Sequence, residues 1–383
     1  MKQRSGNTST KKSGVTNHMF GPKHYVPILK WKRAEQSALQ ALSDEDKQGM
    51  TPLVQFVMPK AKSADNPEKQ FQSVISDFTE KIPHLAQQIL KAWGTTPILV
   101  DFSLLYTTPL RVECLKTVTA SGHALGMRLI PVLNLNDDAE FKKAVQATAK
   151  KHSSGVCLRL VPYDLADTVR LNAAIQTFLG GSGLTEVEID LLVDTKEIGA
   201  NGSYQTYVNA SQKIRNLSKW RTFTFASGAF PADLSHCKLD EENFIPRRDW
   251  ENWAAQLGAK NVVRKPTFAD YTIQHPIYKE SSQFFHPTAS IRYALGDAWY
   301  IMKGKKQKFE MYLAHAKLLA DDQTKFCGEG FSFGDKFIAD KAKHYPVYMK
   351  DPKVKGTGST EGWLTAGINH HLVLTVHQIA SLP

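Results

Sequence analysis

Several ionisable side chains follow short apolar runs in this 383-residue chain, at positions where a folded sheet would bring them together. The candidate catalytic residues are Lys32, Glu35, Asp101 and Asp194. A carboxylate at such a place can exchange a proton with a ligand, and a lysine can neutralise a negative charge that develops on it. The acids do not stand at a spacing typical of a catalytic pair, and the sequence contains neither a Walker phosphate-binding loop nor a GxSxG nucleophile motif. The residues therefore indicate a polar site without specifying a reaction.

A second group of side chains is suited to holding a ligand, above all a phosphate. Its members are Lys30, Arg159, Ser227, Gly228, Asp270 and Tyr271. The small residues Ser227 and Gly228 directly follow an apolar run, and backbone N–H groups in such a turn can bind a phosphate. The alternative is an ordinary turn that needs Gly228 for its backbone angles.

Charged residues inside the apolar runs allow two interpretations, because they are costly to bury unless they are paired. In the first, Asp101, Arg159 and Asp194 form a polar floor under a ligand. In the second, Arg159 pairs with Asp190 as a structural ion pair. A lysine at the end of the first run could also form a Schiff base with pyridoxal phosphate, but a lone lysine does not specify a cofactor, and none is assigned.

Four polar residues near the C-terminus form a further candidate group. Ser332 and Asp335 fit the first turn of a helix, where a hydroxyl and a carboxylate satisfy free N–H groups. His370 and His371 are adjacent, and in a strand they would point to opposite faces, so we predict no shared metal ion. We expect one histidine to be buried and hydrogen-bonded and the other to contact the rest of the fold. The functional alternative is that this group folds over the site.

The four cysteines are widely separated and form no CxxC pair. This spacing argues against a zinc site of that kind and against a disulfide framework. We therefore expect reduced thiols and a cytoplasmic location.

The elements that must position these residues are predicted from a regular alternation. Eight short apolar runs, rich in β-branched residues, are separated by segments of helical period. The runs cover residues 25–29, 53–58, 97–102, 127–133, 155–161, 187–193, 222–226 and 266–273. Eight such units predict an α/β fold of the (β/α)8 TIM-barrel type, in which functional residues lie at the carboxyl ends of the strands. An open doubly wound sheet is the alternative, but the first run is not followed by a glycine-rich loop.

The chain divides into three predicted parts. Residues 1–22 form a disordered basic tail, residues 23–280 the barrel, and residues 281–383 a C-terminal α+β extension that packs on the barrel. In the extension we expect a hairpin around Gly296 and Asp297, helices near 310–321 and 335–344, and a helix or strand over 369–382.

The formal net charge is +11, from 48 Lys and Arg against 37 Asp and Glu, and much of the excess precedes Glu35. A basic surplus favours anionic partners, nucleic acid first; the alternative is a solvated tail. No apolar run approaches the roughly 18 residues of a membrane helix, and no signal peptide is recognised, so we expect no membrane association.

Short segments along the chain resemble the "beta protein" family of phages and bacteria. They are YVPILKWK at residues 25–32 with Glu35, Ala38 and Leu39, then Arg292 and Tyr293, FSFGD at residues 331–335, Trp363, and NHH at residues 369–371. Family members are largely uncharacterised and occur in phages and in bacterial mobile or defence regions, sometimes beside predicted nucleases. The resemblance therefore implies phage–host conflict as the context and an effector or nuclease as a partner, but no reaction.

Two hypotheses from different classes follow. In the first, the protein is a component of an anti-phage defence system whose barrel binds a phosphate-bearing ligand, such as a nucleotide or nucleic acid, while a partner acts. In the second, it is a TIM-barrel hydrolase or lyase that acts on a small phosphorylated substrate with lysine and carboxylate groups at the strand ends. We favour the first, because the acids lack a catalytic spacing and a fold does not define a function.

Overall fold

The computed structural model describes residues 20–60, 66–198, 203–260, 262–279 and 288–382. Most of the predicted basic tail, residues 1–19, lies outside these ranges. The predicted boundary between barrel and extension, at residues 280 and 281, also lies outside them.

Eight parallel strands close into a barrel, because the last of them pairs with both the seventh and the first. The barrel strands are β1 (Tyr25–Lys30), β2 (Leu53–Gln55), β3 (Ile98–Asp101), β4 (Leu129–Asn134), β5 (Val156–Leu160), β6 (Ile189–Glu197), β7 (Thr222–Gly228) and β9 (Thr267–Asp270). The eighth strand in chain order, β8 (Glu242–Pro246), belongs to a second sheet. All eight predicted barrel strands are present, so the TIM-barrel prediction is confirmed.

Helices follow the barrel strands and cover the outside of the sheet. They are α1 (Arg33–Gln40), α2 (Asp44–Gln48), α3 (Pro67–Thr79), α4 (Ile82–Trp93), α5 (Thr108–Ala124), α6 (Ala139–His152), α7 (Pro162–Leu165), α8 (Thr168–Ser182), α9 (Ser203–Ser211) and α10 (Arg248–Gly258). Side-chain caps fix several starts; the Asp138 carboxylate, for example, accepts a hydrogen bond from the Phe141 N–H. None of the helices in the described ranges is both long and apolar enough to cross a lipid bilayer.

Side chains alternate between the barrel interior and the surrounding helices, as strand geometry requires. The interior contains a layer of apolar side chains: Val26, Ile28, Leu53, Leu99, Ile130, Val132, Cys157, Leu192, Ala226 and Ala269. The next inward positions toward the carboxyl ends of the strands are polar. This second layer includes Lys30, Asp101, Arg159, Asp194 and Tyr271 from the functional candidates.

The extension is a three-stranded antiparallel sheet with three helices. Its elements are β8, β10 (Ile291–Ala294), β11 (Ala298–Met302), α11 (Met311–Asp321), α12 (Phe333–Lys350) and α13 (Thr360–Ala380). The predicted hairpin is present, with Ala294 opposite Trp299. The third strand, β8, comes from within the range predicted to be barrel, and its Ile245 pairs with Trp299. Sequence analysis missed it because ENFIP is short and half exposed.

The last helix fastens the extension to the barrel. On α13, the Asn369 side-chain amide donates to the backbone oxygen of Ala38 on α1 at 3.0 Å. His370 and His371 lie in this helix, so the argument that placed them in a strand was wrong. In a helix they are about 100° apart around the axis and still face different partners.

Candidate functional site

A network of charged side chains closes the carboxyl end of the barrel interior. Arg159 on β5 donates from Nε to Asp194 Oδ2 at 2.9 Å and from Nη1 to Asp101 Oδ2 at 2.5 Å. Gln55 on β2 donates to the same Asp101 oxygen at 2.8 Å. All four side chains are buried. The structure therefore brings Asp101, Arg159 and Asp194 together, as the first interpretation expected, but none of the three lines the cavity described below.

Lys196 and Tyr271 complete the network on the side of β6. The Tyr271 hydroxyl donates to Asp194 Oδ2 at 2.6 Å, and Lys196 Nζ lies 2.9 Å from the same oxygen. Lys196 has a φ of 60° and stands at an irregularity of strand pairing between Asp194 and Glu197. This bend turns its amine toward the barrel axis.

Sequence analysis missed Lys196 and Gln55. Gln55 carried a signal, because it is a polar residue inside an apolar run. Lys196 did not, because its direction depends on the irregular strand pairing between Asp194 and Glu197.

The two carboxylates are held in their ionised form. Burial opposes ionisation of Asp194, but the charges of Lys196 and Arg159 outweigh it and lower its pKa to about 2. Burial likewise opposes ionisation of Asp101, and Arg159 and the hydrogen bond from Gln55 outweigh it, so its pKa is also lowered. Ionised carboxylates tied to a guanidinium are poor proton donors and weak bases, so this network suits positioning and charge balance.

Lys30 lies next to this network at the end of β1. Its Nζ lies 5.0 Å from the centroid of the Tyr271 ring and donates to the backbone oxygen of His275 at 3.0 Å. Burial, and then the nearby charge of Lys196, lower the pKa of Lys30 to about 7. Only 3% of the residue's surface is exposed.

A cavity of about 580 Å³ lies between the barrel rim and the extension. We call it the basic cavity, because its lining includes the cationic residues Lys30, Lys32, Lys60, Lys279 and Arg292. Among the described residues that line it, none carries a carboxylate. Aromatic rings of Tyr278, Tyr312 and Trp363 form part of its wall. This lining can hold an anion that also has an apolar or planar part.

Two cations of the basic cavity are held by neighbouring rings. Lys32 Nζ lies 4.6 Å from the centroid of Tyr278, and the Arg292 guanidinium lies 5.1 Å from that of Phe230. Arg292 also donates to the backbone oxygen of Ile273 at 3.0 Å. These contacts hold the two cationic groups at the wall of the cavity.

Glu35 is buried close to Lys30, the last residue of β1, and to Lys32, which follows that strand. Its Oε1 accepts a hydrogen bond from the Gln274 side chain at 2.7 Å, and its Oε2 has no hydrogen-bond partner among the described residues. Burial raises the pKa of Glu35, against the opposing effects of the Gln274 hydrogen bond and the charges of Lys32 and Lys30. Glu35 is therefore a better candidate for proton transfer than Asp101 or Asp194.

Ser227 and Gly228 do not line the basic cavity. Ser227 is buried, and a Cβ added at Gly228 would lie 3.0 Å from the ring of Pro276. The φ of Gly228 is outside the left-handed region, so the need for a small residue comes from Pro276 and not from backbone angles. Pro231 and Ala232 from the same loop do line the cavity.

Asp270 points away from the barrel interior. Its Oδ1 accepts from the Tyr25 hydroxyl at 2.5 Å, and its Oδ2 accepts from His371 Nε2 at 2.7 Å. All three residues are fully buried. Asp270 therefore joins the barrel to α13, and it lies outside the basic cavity because its neighbour Tyr271 takes the inward position.

Ser332, Asp335 and His370 lie inside the extension. The Asp335 N–H donates to Ser332 Oγ at 3.1 Å, as expected for a helix start. The Asp335 carboxylate accepts from Tyr293 at 2.7 Å and contacts His370 Nδ1 at 2.8 Å. None of these three residues, nor His371, lines the basic cavity. The expectation of one hydrogen-bonded histidine and one in contact with the barrel matches the structure.

One trio of potential metal ligands lies in the described part of the chain: Cys327, Asp335 and His370 have donor atoms within 4.8 Å of one another. The second ring nitrogen of His370, Nε2, lies 2.8 Å from the backbone oxygen of Ala294. The contacts of Asp335 and His370 are those of a buried hydrogen-bond network within the extension.

The suggested pairing of Arg159 with Asp190 is wrong. Asp190 instead accepts from Arg221 Nη2 at 2.7 Å. Asp190 precedes Asp194 by four residues on β6 and lies near the opposite end of the barrel, since a strand rises about 3.3 Å per residue.

The chain is similar to one known protein family and to several solved structures. A family profile described as Beta protein matches residues 25–377, which confirms the resemblance seen in the sequence. Similar solved structures include a mutant tryptophan synthase alpha-subunit from Pyrococcus furiosus, with 12% identity over 66% of this chain and 89% of that one, at a TM-score of 0.37. The tryptophan synthase α2β2 complex of the same organism matches with 13% identity, 67% and 90% coverage, and a TM-score of 0.38. Tryptophan synthase from M. tuberculosis matches with 10% identity, 65% and 82% coverage, and a TM-score of 0.34. No curated protein matches the chain.

Proposed function

The chain belongs to the Beta protein family, and we propose that it binds a small phosphate-bearing ligand in the basic cavity. The observation that carries the proposal is the charge of the lining: five cationic side chains and, among the described residues, no carboxylate. Positive side chains grouped in this way favour an anion in the cavity. A volume of about 580 Å³ is within the range of small-molecule sites.

The aromatic part of the cavity wall suits a planar group. Tyr312 and Trp363 stack with ring centroids 4.6 Å apart, and Trp363 is held by a hydrogen bond to the backbone oxygen of Thr357 at 2.9 Å. Rings fixed in this way present an apolar surface without further ordering cost. A mononucleotide combines a phosphate with a planar base, so it is a suitable probe of this site.

The context implied by the family stays a prediction. Phage–host conflict, an effector or nuclease partner, and nucleic acid as a larger ligand rest on the resemblance and the basic charge. A cytoplasmic location is also proposed; the four cysteines are free thiols, which suits a reducing compartment.

Calorimetric titration with inorganic phosphate, AMP and ATP tests the proposal. We expect one site per chain, with tighter binding of the nucleotides than of phosphate and with weakening at high salt. Lys32→Ala removes a charge-assisted contact worth about 1.5–3 kcal/mol, so the Kd should rise about tenfold or more. Lys116→Ala, an exposed lysine on α5, is the matched control and should leave the Kd unchanged.

Equal weakening by both variants would show that phosphate binds to general surface charge, and the proposal would be wrong. Tight, salt-sensitive binding of an oligonucleotide with no binding of AMP or ATP would favour nucleic acid as the ligand instead.

A further inference from the structure

Lys30 is the one cation of the basic cavity that is also part of the barrel interior. It is the last residue of β1, it points inward, and it lines the cavity while being 3% exposed. Its hydrogen bond among the described residues is to the backbone oxygen of His275. A lysine amine has further N–H groups besides the one that donates to this acceptor, and the cavity lies beside them.

The groups around Lys30 disfavour its charged form. Burial and the charge of Lys196 on β6 are the main causes of its lowered pKa of about 7, and Lys32 adds to them. Glu35 on α1 and Asp194 on β6 act in the opposite direction. Near neutral pH, Lys30 is therefore an uncharged amine in about half of the protein molecules. For a lysine of ordinary pKa this fraction is about a thousandfold smaller.

We propose that Lys30 is a nucleophile that forms an imine with a carbonyl group of a phosphate-bearing ligand in the basic cavity. This inference rests on the proposed function, because Lys32 and Arg292 would hold the anionic group while the carbonyl reaches Lys30. It names the ligand class: a small aldehyde or ketone that carries a phosphate.

The reaction is balanced without an oxidant or reductant. The neutral Nζ attacks the carbonyl carbon, a C–N bond forms, and a proton moves from nitrogen to oxygen to give a carbinolamine. The carbinolamine hydroxyl then takes a proton and leaves as water, and the nitrogen keeps one proton in the resulting iminium ion. Glu35 supplies this proton and is left as a carboxylate, and it recovers a proton when water adds back and the iminium ion is hydrolysed. It suits this role because its pKa is raised and its Oε2 has no hydrogen-bond partner among the described residues.

Reductive trapping with a matched pair of probes tests the inference. The full chain is incubated with pyridoxal 5′-phosphate or with pyridoxal, reduced with borohydride, digested and mapped by mass spectrometry. We expect one label per chain on Lys30 with the phosphorylated probe, a rate that rises as the pH passes about 7, and competition by inorganic phosphate. Pyridoxal, which lacks the phosphate, should label Lys30 much more slowly.

Peptide mapping of the labelled chain without any substitution keeps the test valid even where a variant fails to fold. Lys30→Arg should abolish the specific label, and Lys116→Arg on α5 should not. Labelling spread over exposed lysines, with Lys30 unmodified, would overturn the inference while leaving phosphate binding intact. Labelling of Lys30 at the same rate by both probes would support the nucleophile and contradict the proposed phosphate site.

Discussion

Arg159 and Asp101, 58 residues apart in the chain, meet through a 2.5 Å contact between Nη1 and Oδ2 at the carboxyl end of the barrel. The same guanidinium contacts Asp194 through Nε. One buried cation thus joins β3, β5 and β6 beneath the mouth. Because Lys196 also contacts Asp194, the two carboxylates of the network are balanced by two cations. Lys30 lies beside this network and also lines the basic cavity, so it connects the barrel interior to the cavity.

Replacement of Arg159 with Met should strongly destabilise the fold. It leaves Asp101 and Asp194 buried without their guanidinium, and loss of one partner of a buried ion pair costs about 3–5 kcal/mol. Urea denaturation should show a correspondingly lower free energy of unfolding. Arg170→Met is the control, since Arg170 makes only exposed contacts to Tyr163, and it should change stability by less than about 1 kcal/mol. A similar small effect of both variants would contradict the central role of Arg159.

The ionisation of Asp194 predicts how stability depends on pH. Its pKa is lowered in the folded state from 3.8 to about 2, so the unfolded chain binds the proton more readily. Stability is then fully present above about pH 4 and is lost as the pH falls toward 2, by roughly 2–3 kcal/mol. Denaturation midpoints measured across this range should show the loss. Asp194→Asn should show a smaller slope over the same interval, although it is less stable at neutral pH; an unchanged slope would rule out Asp194 as the cause.

The sequence predicts those site residues that lie at the carboxyl ends of recognisable strands. Asp101, Arg159 and Asp194 could be placed at one rim because each belongs to a short apolar run, and a parallel barrel gathers the carboxyl ends of its strands. The direction of a side chain could not be predicted where the run was irregular. Asp270 and Tyr271 are adjacent, and only the register of β9 decides which of them points inward.

The extension was harder to predict because its contacts join distant parts of the chain. The strand β8 has too few apolar residues to be recognised, and it is defined by its pairing with β11. The basic cavity likewise needs Arg292 and Trp363 from the extension beside Lys30 and Lys32 from the barrel. No local sequence pattern predicts that these residues from the barrel and the extension line one cavity.

A matched pair of glycine substitutions tests the packing of the extension. A Cβ at Gly334 on α12 would lie 2.1 Å from the backbone oxygen of Ala366 on α13, so Gly334→Ala must separate the two helices. We expect a loss of about 1–3 kcal/mol in the free energy of unfolding. Gly180→Ala on α8 meets nothing within 4 Å and should be neutral or stabilising by up to about 1 kcal/mol. Equal melting temperatures for the two variants would show that α12 and α13 are not closely packed.

The contact between Asp270 and His371 predicts how firmly the extension is held on the barrel. His371→Ala leaves the Asp270 carboxylate buried with the Tyr25 hydroxyl as its remaining side-chain partner among the described residues. Burial lowers the pKa of His371, so the lost contact is a hydrogen bond from a neutral imidazole to a carboxylate, at a cost of about 1.5–3 kcal/mol. His377→Ala, on the same helix, is the control: it removes an exposed contact to Asp46, worth less than about 1 kcal/mol. Thermal unfolding and limited proteolysis should both report the difference, with faster cleavage in the extension of the His371 variant. If the two variants melt at the same temperature and are cleaved at the same rate, the buried pair does not hold α13 on the barrel.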